Sequence, residues 1–197
     1  MPGHNERGVR AANTVADIAA GESQAREVAA SRAVQTIADI SSQSDVHVRQ
    51  ILPTEDLDSG EDNGWDGEER RFIQSGLTED EVNETYELDS DNQLEEKVVV
   101  IFAITNRADD PATTQIEFQS GTGGIFERLQ VEGKLTDEQD TLLLADPVVF
   151  GATEDGTVTQ YVIGDAEVDD EVIFHGVVAE QAGRTLEPSS RFVSERS

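Results

Sequence analysis

The sequence predicts a mainly β protein: a single jelly-roll-like antiparallel sandwich or barrel, preceded by an N-terminal Ala-rich helical arm. Three observations point there. From Lys97 onward, short β-branched and aromatic runs recur between turn residues, with no alternating helical pattern. Helical spacing is convincing only in the first quarter of the chain. Val, Ile, Leu and Phe together make up 49 of 197 residues, more than a disordered chain carries, so a core can form.

The helical stretch spans residues 11–42. Val15, Ile18, Ala25, Val28, Ala29, Ile37 and Ile40 recur there at three- and four-residue spacings. Asn13 suits the start and the Ser41-Ser42 pair suits the end. Gly21 interrupts the run, at a cost of about 1 kcal/mol relative to Ala. The apolar stripe is thin and mostly Ala, so the helix is marginal alone and needs a partner surface. That surface is either its own domain or a neighbouring subunit. The chain thus divides into an arm (1–45), a first strand with an acidic excursion (46–96) and the main β strands with a short tail (97–197). Val15, Ile18, Val28, Ile37, Ile40 and Trp65 are the candidate subunit contacts.

Residues 53–70 read as an acidic loop, with turn residues throughout. Thr78-Glu79-Asp80-Glu81 has capping-box spacing and predicts a short helix to about Thr85. The strands follow in order: 98–104, 114–118, 125–131 after the Gly123-Gly124 turn, then 141–144 and 148–150 split by Asp146-Pro147. Residues 157–163 follow the hairpin signal Asp155-Gly156, and 172–179 contain Gly176 as a bulge candidate. Weaker candidates are 46–52, 86–88 and 191–193. Val99, Ile101, Ile116, Phe118, Phe126, Val149, Val162, Ile173 and Val177 are expected to supply most of the core.

Charge is the strongest compositional signal. Forty-two acids against 14 bases leave −28, whereas a small soluble domain usually carries a magnitude of about 2–8. Such a surplus drives the compact state apart at ordinary ionic strength. In molar salt, where the Debye length is about 3 Å, the repulsion is screened. Lys occurs twice and Arg 12 times, so long alkyl stems are scarce on this surface. The composition looks like that of proteins from extreme halophiles. The charge is also unevenly placed: −1 over residues 1–50, −15 over 51–96 and −12 over 97–197. A nearly neutral first quarter suggests a segment that does not face brine.

Several classes fall away. Duplex binding needs Lys and Arg to neutralise phosphates, and no basic patch exists. Without cysteine there is no disulfide framework, thiolate zinc site or thiol nucleophile. Residues 1–7 lack the apolar core of a secretory signal, and the longest apolar run is too short for a membrane-spanning helix.

No constellation for catalysis emerges, and no enzyme activity or cofactor is expected. The histidines are His4, His47 and His175, without a His-x-His pair. In an alternating strand His175 points with Ile173 and Val177, opposite Phe174, which suits a hydrogen-bonded structural histidine. No serine sits in a Gly-x-Ser-x-Gly elbow. An EF-hand register with Gly64 at position six puts Arg70 where Glu belongs, and one with Gly67 puts Ile73 there. Asp169-Asp170-Glu171 reads as solvated surface, since carboxylate runs are everywhere. Gly121-Thr122-Gly123-Gly124 lacks the Gly-Lys-Ser/Thr ending of a phosphate loop and reads as a β turn.

A neutral Ala-rich arm, an acidic excursion and about eight strands without chemistry resemble a capsid subunit. The combination is similar to the small major capsid proteins of icosahedral, membrane-containing viruses of haloarchaea, over roughly residues 46–193. The resemblance implies a single vertical jelly roll and a structural virion protein that binds itself and other capsid proteins. It also implies assembly in the host cytoplasm and a shell that stands on an internal membrane. The leading helix and acidic stretch are long for a minimal jelly roll, which leaves a decoration or tail component as an alternative. A haloarchaeal β-sandwich ligand-binding module is the other alternative; with 10 aromatics in the chain, its concave aromatic cluster has few residues to draw on.

Overall fold

A computed structural model describes residues 9–11, 15–51, 72–77, 84–88, 97–106, 113–120, 124–131, 141–152, 156–162 and 168–183. The elements are β1 (Val9–Ala11), α1 (Val15–Thr36), β2 (Val46–Gln50), β3 (Phe72–Leu77), β4 (Glu84–Leu88) and β5 (Lys97–Asn106). They continue with β6 (Thr113–Ser120), β7 (Gly124–Gln130), β8 (Thr141–Phe150), β9 (Gly156–Val162) and β10 (Val168–Gln181). The chain is mainly β, as its composition predicts, with antiparallel sheets and one N-terminal helix.

The strands form two sheets. The larger runs β1-β8-β5-β10-β2, with β3 also on β10; the smaller runs β4-β9-β6-β7. Every pair among the described strands is antiparallel. β10 pairs β5 through Val172 to Glu180, β2 through Val177 to Gln181, and β3 through Val168 to Val172. A residue has one partner per edge, so β2 and β3 lie end to end along the same edge of β10. They run in the same direction, as one long strand interrupted by residues 51–71.

Burial explains the long apolar run in β5, which is buried at every residue. Its two faces serve two cores. Val99, Ile101 and Ile104 join Ile116, Phe118 and Leu129 of the smaller sheet, with Phe150 and Phe174, between the two sheets. Phe118 meets Phe174 edge-on at 6.2 Å and Phe150 at 6.3 Å between ring centroids. Val98, Val100, Phe102 and Ala103 face the other way, toward Ala25, Ala29 and Ala33 of α1. The molecule is thus three layers: helix, larger sheet, smaller sheet.

α1 therefore does not stand apart as an arm. Gly21, Ala25, Ala29 and Ala33 recur every fourth residue, a ridge low enough for the helix to settle closely on the sheet. A Cβ on Gly21 would lie 3.0 Å from both Leu143 and Phe102 side-chain carbons, so the glycine that weakens the helix permits its contact. Ile37 and Ile40 close the end of this layer.

Irregularities in the ladder change some expected faces. Between Ile101 and Ala103, β5 carries one residue more than β10, and Phe102 and Ala103 consequently both face the helix side. The same place in β8 holds residues 144–147 against Phe102 alone, so Asp146-Pro147 forms a bulge inside one strand rather than a break between two. Val177 is buried core as expected, on the helix side of the larger sheet, and Val149 is half-buried against the same layer. Ile173 is also half-buried rather than core. The short helix expected over 78–85 is overtaken by β4 at Glu84 and Thr85. The side chains of Phe126 and Val162, and the expected strand 191–193, lie outside the described residues.

Candidate functional site

The candidate contact residues separate sharply. Ile37 and Ile40 are buried by their own chain, and Ile18 and Val28 pack partly against the helix layer. Ile37 and Ile40 belong to the intramolecular core and Ile18 and Val28 border it, because α1 covers the apolar outer face of the larger sheet. Val15 is 84% exposed. Trp65, the loop 53–70 and His4 lie outside the described residues.

What α1 turns outward is unusual for this chain. Its exposed positions include Val15, Ala19, Ala20, Ser23, Gln24, Ser31 and Gln35, and Glu27 is the one charged residue among them. Glu27, Val28, Ser31, Arg32 and Gln35 line an open groove of about 340 Å³ on this side. In a chain with 42 acids, the exposed side of α1 is close to neutral.

A second feature lies where α1 meets the bulge. A cleft of about 190 Å³ is lined by Ile18, Glu22, Gln50, Phe102, Ile173 and His175, among others. His175 is half-buried, with its ring 6.3 Å from that of Phe102. Its Nε2 is 2.7 Å from the Thr105 hydroxyl, which is 2.7 Å from the Thr141 hydroxyl. Strand alternation places all three on the helix side, and the expectation of a hydrogen-bonded histidine describes this arrangement. A drug-sized ligand usually occupies about 300 Å³ or more, so the cleft is small.

A third cluster covers the outer face of the smaller sheet. Glu117 is 5% exposed although it points away from the core. Its Oε1 accepts from Gln115 and pairs with Arg128 at 2.6 Å, and its Oε2 accepts from the Tyr161 hydroxyl at 3.1 Å. Burial, and then the neighbouring Glu117 carboxylate, push the Tyr161 phenol above its ordinary range. The carboxylate is occupied by three donors from its own sheet, an arrangement suited to holding β6, β7 and β9 in register. Sequence alternation in 114–118 places Glu117 outward, but gives no sign that it is buried.

Among the described residues no three His, Asp or Glu side chains gather as a metal site. Asp169-Asp170-Glu171 falls in β10, but its side chains lie outside the described residues. No described helix is long and apolar enough to cross a membrane. No protein-family model matches the chain, and no curated protein matches it significantly.

Proposed function

We propose that this protein is a jelly-roll lattice subunit, a structural component of a halophilic virion, and that copies meet through the outward side of α1. The near-neutrality of that side carries the reading. Copies that each bear −28 repel wherever carboxylates face one another, and small uncharged side chains let two backbones approach without that cost.

Strand order supports the finer fold assignment. Taking β2 and β3 as one strand, the described residues form eight strands besides the edge strand β1. Their orders, β2/β3-β10-β5-β8 and β4-β9-β6-β7, are those of two interlocked Greek keys. Jelly rolls of this order build viral shells, and they also serve as lectins and cupins. The small cleft beside His175 is the one described feature that favours a ligand-binding module instead.

Electron microscopy of the full chain, refolded into molar salt, tests the lattice reading. Extended sheets or closed particles are expected. Ser23→Glu with Ser31→Glu, which puts carboxylates on the outward side of α1, should abolish them while leaving circular dichroism unchanged. Particles that persist in the double variant would place the contact elsewhere. Folded wild-type protein that forms no assembly would leave the binding-module reading ahead.

A further inference from the structure

The outer edge of β2 closes one end of the larger sheet, and among the described residues no strand pairs with it. An open edge is a template for another chain. The Ile51 amide donates to the Gly176 carbonyl and the Ala182 amide to the Asp45 carbonyl, so odd-numbered residues here face β10. Alternation then turns the backbone groups of Val48 and Gln50 outward. The outward carbonyls of Val48 and Gln50, two of the three along β2, are each taken by an arginine. Arg26 of α1 donates from Nη1 to the Val48 carbonyl at 2.8 Å. Arg49 donates from Nη1 to the Gln50 carbonyl at 3.2 Å.

Each guanidinium is held from behind. Arg26 Nε and Nη2 lie 2.9 and 2.7 Å from Glu22 Oε1, one turn back on α1. Arg49 Nε lies 3.2 Å from Glu180 Oε1, and Glu180 is 2% exposed. One planar fork thus grips a carboxylate and a carbonyl together, which the single ammonium of Lys does less well. We infer that Arg26 and Arg49 are edge guards: they occupy the carbonyls that a second copy's β2 would need, and so prevent edge-to-edge pairing of larger sheets. The guarded carbonyls are neutral, so salt acts on the guards only through the carboxylates behind them, and it screens the buried Arg49–Glu180 pair less than the more exposed Arg26–Glu22 pair.

The chain has no cysteine, so one introduced thiol reports on this edge alone. His47→Cys puts a thiol at an exposed position of β2. Oxidised in molar salt, the full chain with His47→Cys alone should give little disulfide dimer. Adding Arg26→Met should raise the dimer yield by roughly tenfold, the change expected when one charge-assisted hydrogen bond is lost. Arg49→Leu with Glu180→Leu removes the second guard and its buried partner as a unit, and should also raise it. If Arg26→Met does not fold, this second variant decides. Abundant dimer with both guards intact would overturn the inference, as would folded guardless chains that give no more dimer than His47→Cys alone. Because the readout is a covalent pair at β2, it is independent of whether large particles form through α1.

Discussion

One glycine and one aspartate show how single residues hold this structure. Gly176 sits where β10 shifts register against β5, and a Cβ there would lie 2.9 Å from the Val100 carbonyl oxygen. That neighbour is backbone in a fully buried strand and cannot swing aside. Gly176→Ala should therefore destabilise by about 1–3 kcal/mol, read from the midpoint of chemical unfolding in molar salt. No loss would mean that the two strands are further apart at the bulge. Asp45 closes the turn between α1 and β2: its Oδ2 accepts from the Ser41 hydroxyl, the Ser42 hydroxyl and the Ser42 amide. The Ser42 and then the Ser41 hydroxyl bonds hold its carboxyl below the usual range. A depressed folded pKa stabilises above the unfolded value, and the contribution is lost as pH falls through the folded one. Wild type should thus unfold later than Asp45→Asn near neutrality, and the two should converge below the ordinary carboxylate range. Curves that stay parallel through acid would remove Asp45 from this role.

At the scale of elements, α1 is the piece most changed between sequence and structure. Its Ala-rich stripe looks too thin to bury much, which suggests an arm seeking another subunit. The spacing of Gly21, Ala25, Ala29 and Ala33 carries the other meaning, because four small residues in one row suit close contact with a flat sheet. The uninterrupted run at 98–104 was the matching sign: a strand apolar on both sides is covered on both sides. The face of each residue beyond Phe102 was not legible, since one extra residue shifts every side chain after it. β3 and much of β4 were hidden for a different reason. They lie in residues 51–96, the most acidic segment of the chain, where Phe72–Leu77 and Glu84–Leu88 show weak β patterning. The candidate contacts follow the same logic: apolar spacing marks the inward side of α1, while the outward side is marked by missing charge. Deleting residues 1–40 would uncover Val98, Val100, Phe102 and Val177. The shortened chain should lose its cooperative unfolding transition in molar salt and aggregate. A soluble β domain with near-normal unfolding would show that α1 is dispensable to the monomer.

For the whole molecule, the opposing quantities are a three-layer core and a charge of −28. The core favours one compact chain at any ionic strength, whereas the carboxylates tolerate compaction, and contact between copies, only when screened. The proposed assembly through a neutral helix face and the inferred protection of the β2 edge would be complementary: one surface open to other copies and another closed to them. Sedimentation velocity of the full chain across a salt series tests this most directly. In molar salt the chain should sediment as large particles whose fraction grows with concentration. Below roughly 0.5 M salt, where screening weakens, the particles should dissociate and the fold should loosen. A single folded monomer at every concentration and every salt would contradict both the lattice role and the halophilic reading.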